Sequence, residues 1–70
     1  MIAITEVAVT ALLLSRTSSC FGLGNLAESV GSREGSIEAA LFALSDAVRL
    51  EGSEVCVKDR VALALRAVEL

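Results

Sequence analysis

Residues 26–44 read LAESVGSREGSIEAALFAL, and the spacing within them predicts two short helices joined by a tight turn. Leu26 and Ala27 open the first helix, and Val30-Gly31 close it. Glycine reaches the left-handed backbone region that ends many helices, so Gly31 is the expected stop. Six residues on, Ile37, Ala40, Leu41 and Leu44 recur at three- and four-residue intervals, one stripe of a second helix. Ala27 is small enough to let the two helices approach closely, and Ile37 plugs the space between them.

Working backwards, Asn25 is a candidate cap for a helix over 26–30, because its side chain can accept from a free amide of the first turn. Cys20 to Leu23 is short and apolar and reads as a brief strand, preceded by the polar loop Thr17-Ser18-Ser19. Between residues 2 and 16, Ile4, Val7, Ala8, Ala11, Leu12 and Leu14 follow a helical period. The β-branched Ile2, Ile4, Val7 and Val9 leave a strand over 2–9 as the alternative.

Working forwards, Ser32 or Ser36 can cap the second helix, which is expected to run to about Ala47. Gly35 costs about 1 kcal/mol relative to alanine inside a helix, which favours Ser36 as the start. Val48-Arg49-Leu50-Glu51, Gly52-Ser53 and Glu54-Val55-Cys56-Val57 then have the form of a two-residue hairpin with glycine first in a type II′ turn. Counting outward pairs Glu51 with Glu54, Leu50 with Val55, Arg49 with Cys56 and Val48 with Val57. This register puts Val48, Leu50, Val55 and Val57 together on a face expected to be buried. Glu51 and Glu54 repel across the other face unless Arg49 lies between them. Asp59 is the expected cap of a last helix over 60–70, with Val61, Ala64, Leu65 and Val68 on one face.

Seventy residues support one domain, with a core near the lower limit for stability alone. Apolar residues make up 54% of the chain, but Phe21 and Phe42 are the only aromatics, so the core is one of small aliphatics on helices. The longest unbroken apolar run, Ala11 to Leu14, is far below the roughly 20 residues of a membrane span. Glu6 precedes the first basic residue, Arg16, which argues against a secretory signal. A soluble, cytoplasmic protein is expected. Cys20 and Cys56 can form a disulfide, although buried free thiols are the favoured reading. Without histidine they fall short of a four-ligand zinc site, so no metal is expected. Gly22-Leu23-Gly24 lacks the third glycine or lysine of a phosphate loop, so no cofactor is expected either. No convergent carboxylate pair or base-activated nucleophile emerges, and catalysis is not expected.

A helix-turn-helix followed at once by a hairpin resembles a winged helix, a mainly α fold with a small β-hairpin; an all-α four-helix bundle is the alternative. The sequence is similar to the DNA-binding domain of Crp/Fnr-type regulators in LAESVGSREGSI, in Leu41 and Leu44, and in the series Gly52, Val55, Val57, Asp59 and Leu63. The resemblance implies a helix-turn-helix over 25–47, a wing over 48–58 and a closing helix over 60–70 within one domain spanning 1–70. It departs from the family at Ser32, where an aliphatic residue usually follows the turn glycine, and in its shorter hairpin. No ligand-sensing domain precedes the motif, so cyclic-nucleotide sensing is not expected.

The resemblance implies a small regulator of transcription that holds double-stranded DNA. Its contact residues would be Ser32, Arg33 and Ser36 at the start of the second helix and Arg49 and Lys58 in the wing, with Arg33 able to grip a guanine edge. Charge opposes this. The net charge is −3, and between residues 26 and 50 Arg33 and Arg49 stand against Glu28, Glu34, Glu38 and Asp46. The alternative partner is a protein, met by Glu34, Glu38, Asp46 and an exposed Phe42. The small apolar residues of the first and last helices also make a homodimer an expectation.

Overall fold

The computed structural model describes residues 4–68. Its elements run α1 (Ile4–Leu14), β1 (Cys20–Gly22), α2 (Leu23–Val30), α3 (Glu34–Ala43), β2 (Val48–Glu51), β3 (Glu54–Val57) and α4 (Arg60–Ala67). The strands form one antiparallel sheet in the order β1-β3-β2, which rules out the all-α bundle. Ile2 and the expected helical residues Glu69 and Leu70 lie outside the described residues. The strand alternative over 2–9 fails where it can be seen, because Ile4 onward is helical.

Gly31 ends α2 as expected. Its φ is 82°, the Ser32 amide donates to the Ala27 carbonyl at 3.0 Å and the Gly31 amide to that of Glu28 at 3.2 Å. These are the two bonds of a Schellman cap. The start of α2 differs from expectation: it begins at Leu23 with Gly22 as its cap residue, and Asn25 lies inside the helix. The cause is tertiary. The Leu23 amide donates to the Ser53 carbonyl at 2.8 Å, so β1 passes into α2 without a loop.

The second helix also differs, starting at Glu34 with Gly35 inside it and ending at Ala43 rather than near Ala47. Leu44, at φ −102° and ψ 22°, breaks the helical path. The turn that follows buries Ala47, and its carbonyl accepts from the Lys58 and Asp59 amides at 2.9 and 3.1 Å. These bonds tie the base of the hairpin to the end of α3.

The hairpin has the expected register, Val48 with Val57 through Glu51 with Glu54. Gly52 has φ 60° and no non-glycine residue among the described ones has positive φ, which selects the type II′ turn. Arg49 donates to Glu51 at 2.8 Å and offsets the Glu51–Glu54 repulsion. The apolar face is only partly covered, however: Val48 and Val55 are buried, Val57 is half-buried and Leu50 is exposed. As the edge strand of three, β2 has a neighbour on one side only, and Leu50 lies at that open margin.

Cys20 and Cys56 are joined by a disulfide, which corrects the reading of free thiols. They are directly opposed in the β1–β3 pairing. The flanking bond from the Val57 amide to the Ser19 carbonyl makes theirs a non-hydrogen-bonded position, where opposing side chains come closest. Their Cα atoms are 4.0 Å apart.

The core draws on every helix and on the sheet: Val7, Ala8 and Ala11 of α1, Phe21, Leu26 and Ala27, Ile37, Ala40 and Leu41, Leu44, Val48, Val55 and Leu63. Two arginines of α4 bind carbonyls at helix ends, where the backbone dipole favours cations. Arg60 donates to the Ser15 carbonyl at 3.0 and 3.3 Å, just beyond α1, and Arg66 donates to that of Ala43 at the end of α3, at 3.2 Å. Asp59 caps α4 as expected, accepting from the Ala62 amide at 3.0 Å. The expected apolar face of α4 exists but points outward; Leu63 carries the inward contact, helped by Ala62 and Ala67. No helix among the described residues is long and apolar enough to cross a membrane.

Candidate functional site

The short turn of residues 31–33 and the early end of α3 bring the outer face of α3 beside β2. Between them lies a groove of about 260 Å³. Leu41 and Val48 form its buried floor. Glu38, Phe42 and Ser45 line it from α3 and the turn that follows, and Arg49, Leu50 and Lys58 from the hairpin side.

Phe42 is 84% exposed. A phenyl ring left this open contributes little to the fold, and here it stands beside apolar surface that water also reaches. Leu50 extends the same apolar area from the strand. The groove walls differ in charge, with Glu38 on the helix side and Lys58 on the other; Arg49 is already paired with Glu51.

The five expected contact residues divide into two groups. Arg49 and Lys58 line the groove, whereas Ser32, Arg33 and Ser36 cluster around the first turn of α3 and do not. Arg33 is exposed and is the cap residue of α3, making no side-chain capping bond. Its carbonyl accepts from the Ser36 and Ile37 amides at 3.1 and 3.2 Å, which fixes where its backbone leaves the turn. Ser32 is half-buried, in the cap position that usually receives an apolar residue packing back onto the helix. Ser36 is exposed.

Glu34 completes the picture at this end. A Cβ added to Gly24 would lie 3.5 Å from the Glu34 carboxylate, so this acid sits beside the first turn of α2, where the helix dipole favours it. Among the described residues, Arg33 and Lys58 are the cations of this face that form no ion pair. The exposed acids Glu34 and Glu38 stand beside them.

The groove itself, with its apolar floor and the open Phe42 ring, was legible only in the expectation of an exposed Phe42 beside acidic residues. Periodicity places Leu41 and Leu50 on core faces, and nothing in their spacing shows that the edge of β2 leaves them beside a cleft. No protein-family model, curated protein or solved structure matches the chain.

Proposed function

We propose that the chain is a small winged helix-turn-helix domain whose α3–hairpin face binds a segment of another protein. The element order and the sheet order β1-β3-β2 support the winged reading, because they set a hairpin beside the second helix of a helix-turn-helix. The observation that carries the protein reading is the groove: an apolar floor beside an exposed phenylalanine, with Glu38 on its helix side.

The occupant that fits is a segment with one large apolar side chain for the cleft and a lysine or arginine facing Glu38. Apolar and aromatic anchors in such pockets carry most of the binding free energy of small interfaces. The disulfide points the same way, since such bonds persist in oxidising surroundings rather than in the reducing ones where DNA is ordinarily read.

DNA binding is the second reading, and the layout favours it: Arg33 opens α3 and Lys58 flanks the hairpin. Phosphate-driven binding needs several uncompensated cations and weakens steeply with salt. Among the described residues of this face there are two, next to two acids.

Fluorescence anisotropy with mixed-sequence duplexes at about 50 and about 200 mM salt separates the readings. The expected result is no binding at either, together with capture of display-selected peptides that carry an apolar anchor beside a basic residue. Phe42→Ala should weaken those peptides at least tenfold, about 1.4 kcal/mol. Duplex binding that collapses at the higher salt and is lost in Arg33→Ala and Lys58→Ala would establish the second reading instead.

A further inference from the structure

Cys20 and Cys56 face solvent rather than the core. Phe21 and Val55 are buried on the inner face of the sheet, and side chains alternate along a strand, so the two cysteines next to them point outward. Both are half-buried, and Arg49, Glu51 and Glu54 on the same face are exposed. The charges around the two sulfurs differ. Arg49 is paired directly with Cys56 across β2 and β3. The Lys58 amide continues that ladder by donating to the Ala47 carbonyl at 2.9 Å, which puts Lys58 on the same face two residues beyond Cys56. Against these cations stand Glu54, two residues before Cys56, and Glu51, already bonded to Arg49. Cys20 lies on the edge strand β1, where its same-face neighbours along the chain are the uncharged Ser18 and Gly22.

We propose that the Cys20–Cys56 bond is a thiol–disulfide exchange site open in the folded chain, with Cys20 the sulfur attacked by a dithiol and Cys56 the one that leaves. An incoming thiolate must approach along the axis of the bond that breaks. Attack on Cys20 comes from beyond β1, where no strand lies, whereas attack on Cys56 has to come over β2 and Arg49. The better leaving thiolate is the one that cations stabilise, and that is Cys56.

The first thiolate of the dithiol bonds to Sγ of Cys20 as the Cys20–Cys56 bond breaks, and the electron pair goes to Sγ of Cys56. The second thiolate then attacks the reductant's own sulfur in the mixed disulfide and releases Cys20. Two electrons pass to the protein, the dithiol becomes a disulfide, and the protons it gave up to water return to the two cysteines. Reduction leaves β1 tied by the hydrogen bonds from Val57 to Ser19 and from Leu23 to Ser53. Because β1 passes into α2 without a loop, the bond sets how firmly the start of that helix is held.

The test mixes the oxidised full chain with dithiothreitol over about a hundredfold range of concentration and follows the appearance of thiols together with circular dichroism. The rate should rise in proportion to dithiothreitol throughout while the native signal persists. A bond reached only by unfolding would instead give a rate that levels off at the unfolding rate, and that result would overturn the proposal. Arg49→Gln should slow the exchange severalfold, and Arg49→Lys should restore it. A merely structural role for Arg49 has the opposite sign, since a less stable chain opens more often and reacts faster. With glutathione in place of dithiothreitol and an acid quench, peptide mass mapping should find the mixed disulfide on Cys20; finding it on Cys56 would refute the assigned roles. Thiols that stay free when the chain is incubated with oxidised glutathione would overturn the proposal outright.

Discussion

Two glycines, four residues apart, should respond to the same substitution with opposite sign. Gly31 sits at φ 82°, where a Cβ strains the backbone even though no atom lies within 4 Å of it. Gly31→Ala should lower stability by about 1–2 kcal/mol, the cost of a left-handed conformation for an L-residue. Gly35 lies inside α3 at ordinary φ with open space around its Cβ position. There alanine restricts the unfolded chain and adds helix propensity, so Gly35→Ala should raise stability by about 0.5–1 kcal/mol. In a chain of this size 1 kcal/mol corresponds to roughly 4–8 °C in Tm, so thermal unfolding of the two variants checks both signs. If Gly35→Ala lowered Tm, the helix would have to start at Ser36 after all.

At the scale of the elements, α4 depends on its cap. It has eight residues, too few for a helix to persist on propensity alone. Packing of Leu63 and the Asp59 side chain must therefore hold it. Asp59→Ala frees the Ala62 amide and should cost about 1 kcal/mol, whereas Asp59→Ser, which still accepts that bond, should recover most of it. Urea unfolding of the pair is the measurement; equal loss in both would mean that the cap bond contributes nothing.

The elements also show where the sequence was sufficient. The hairpin register, the Gly31 stop and the Asp59 cap are local: each follows from a residue type and its immediate neighbours. The start of α2, the end of α3 and the direction of the α4 stripe are not local. They depend on the amide of Leu23 reaching Ser53, on the carbonyl of Ala47 receiving two amides from beyond β3, and on α1 covering the Leu63 side of α4. Periodicity shows that Val61, Leu65 and Val68 share a face, but the direction of that face depends on which side of α4 packs against α1. The candidate site has the same character. Its charges and Phe42 were readable, while the cleft beside them exists because β2 is an edge strand.

For the whole molecule, the Cys20–Cys56 bond has the widest reach. It spans 36 residues of sequence and encloses α2, α3 and most of the hairpin. Closing a loop of that length in the unfolded chain restricts it by roughly 4 kcal/mol in the chain-entropy description, and observed effects are commonly about 2–4 kcal/mol. Seventy residues at about 0.05–0.15 kcal/mol each give a total stability of roughly 3.5–10 kcal/mol. The bond therefore supplies a large fraction of the margin. Its loss would leave β1 attached by the pairing of Phe21 with Val55 and by the hydrogen bonds from Val57 to Ser19 and from Leu23 to Ser53. Those contacts are native-state contacts and disappear on unfolding, whereas the disulfide acts mainly on the unfolded chain. The double variant Cys20→Ala, Cys56→Ala should thus keep its native circular dichroism in water but unfold at lower urea, with stability reduced by about 2–4 kcal/mol and a larger m-value because the freed chain expands further. A thiol assay on the denatured wild-type protein gives the independent check. Two reactive thiols, together with a double variant as stable as the wild type, would show that the opposed cysteines remain reduced and return them to the role of small apolar side chains in the sheet.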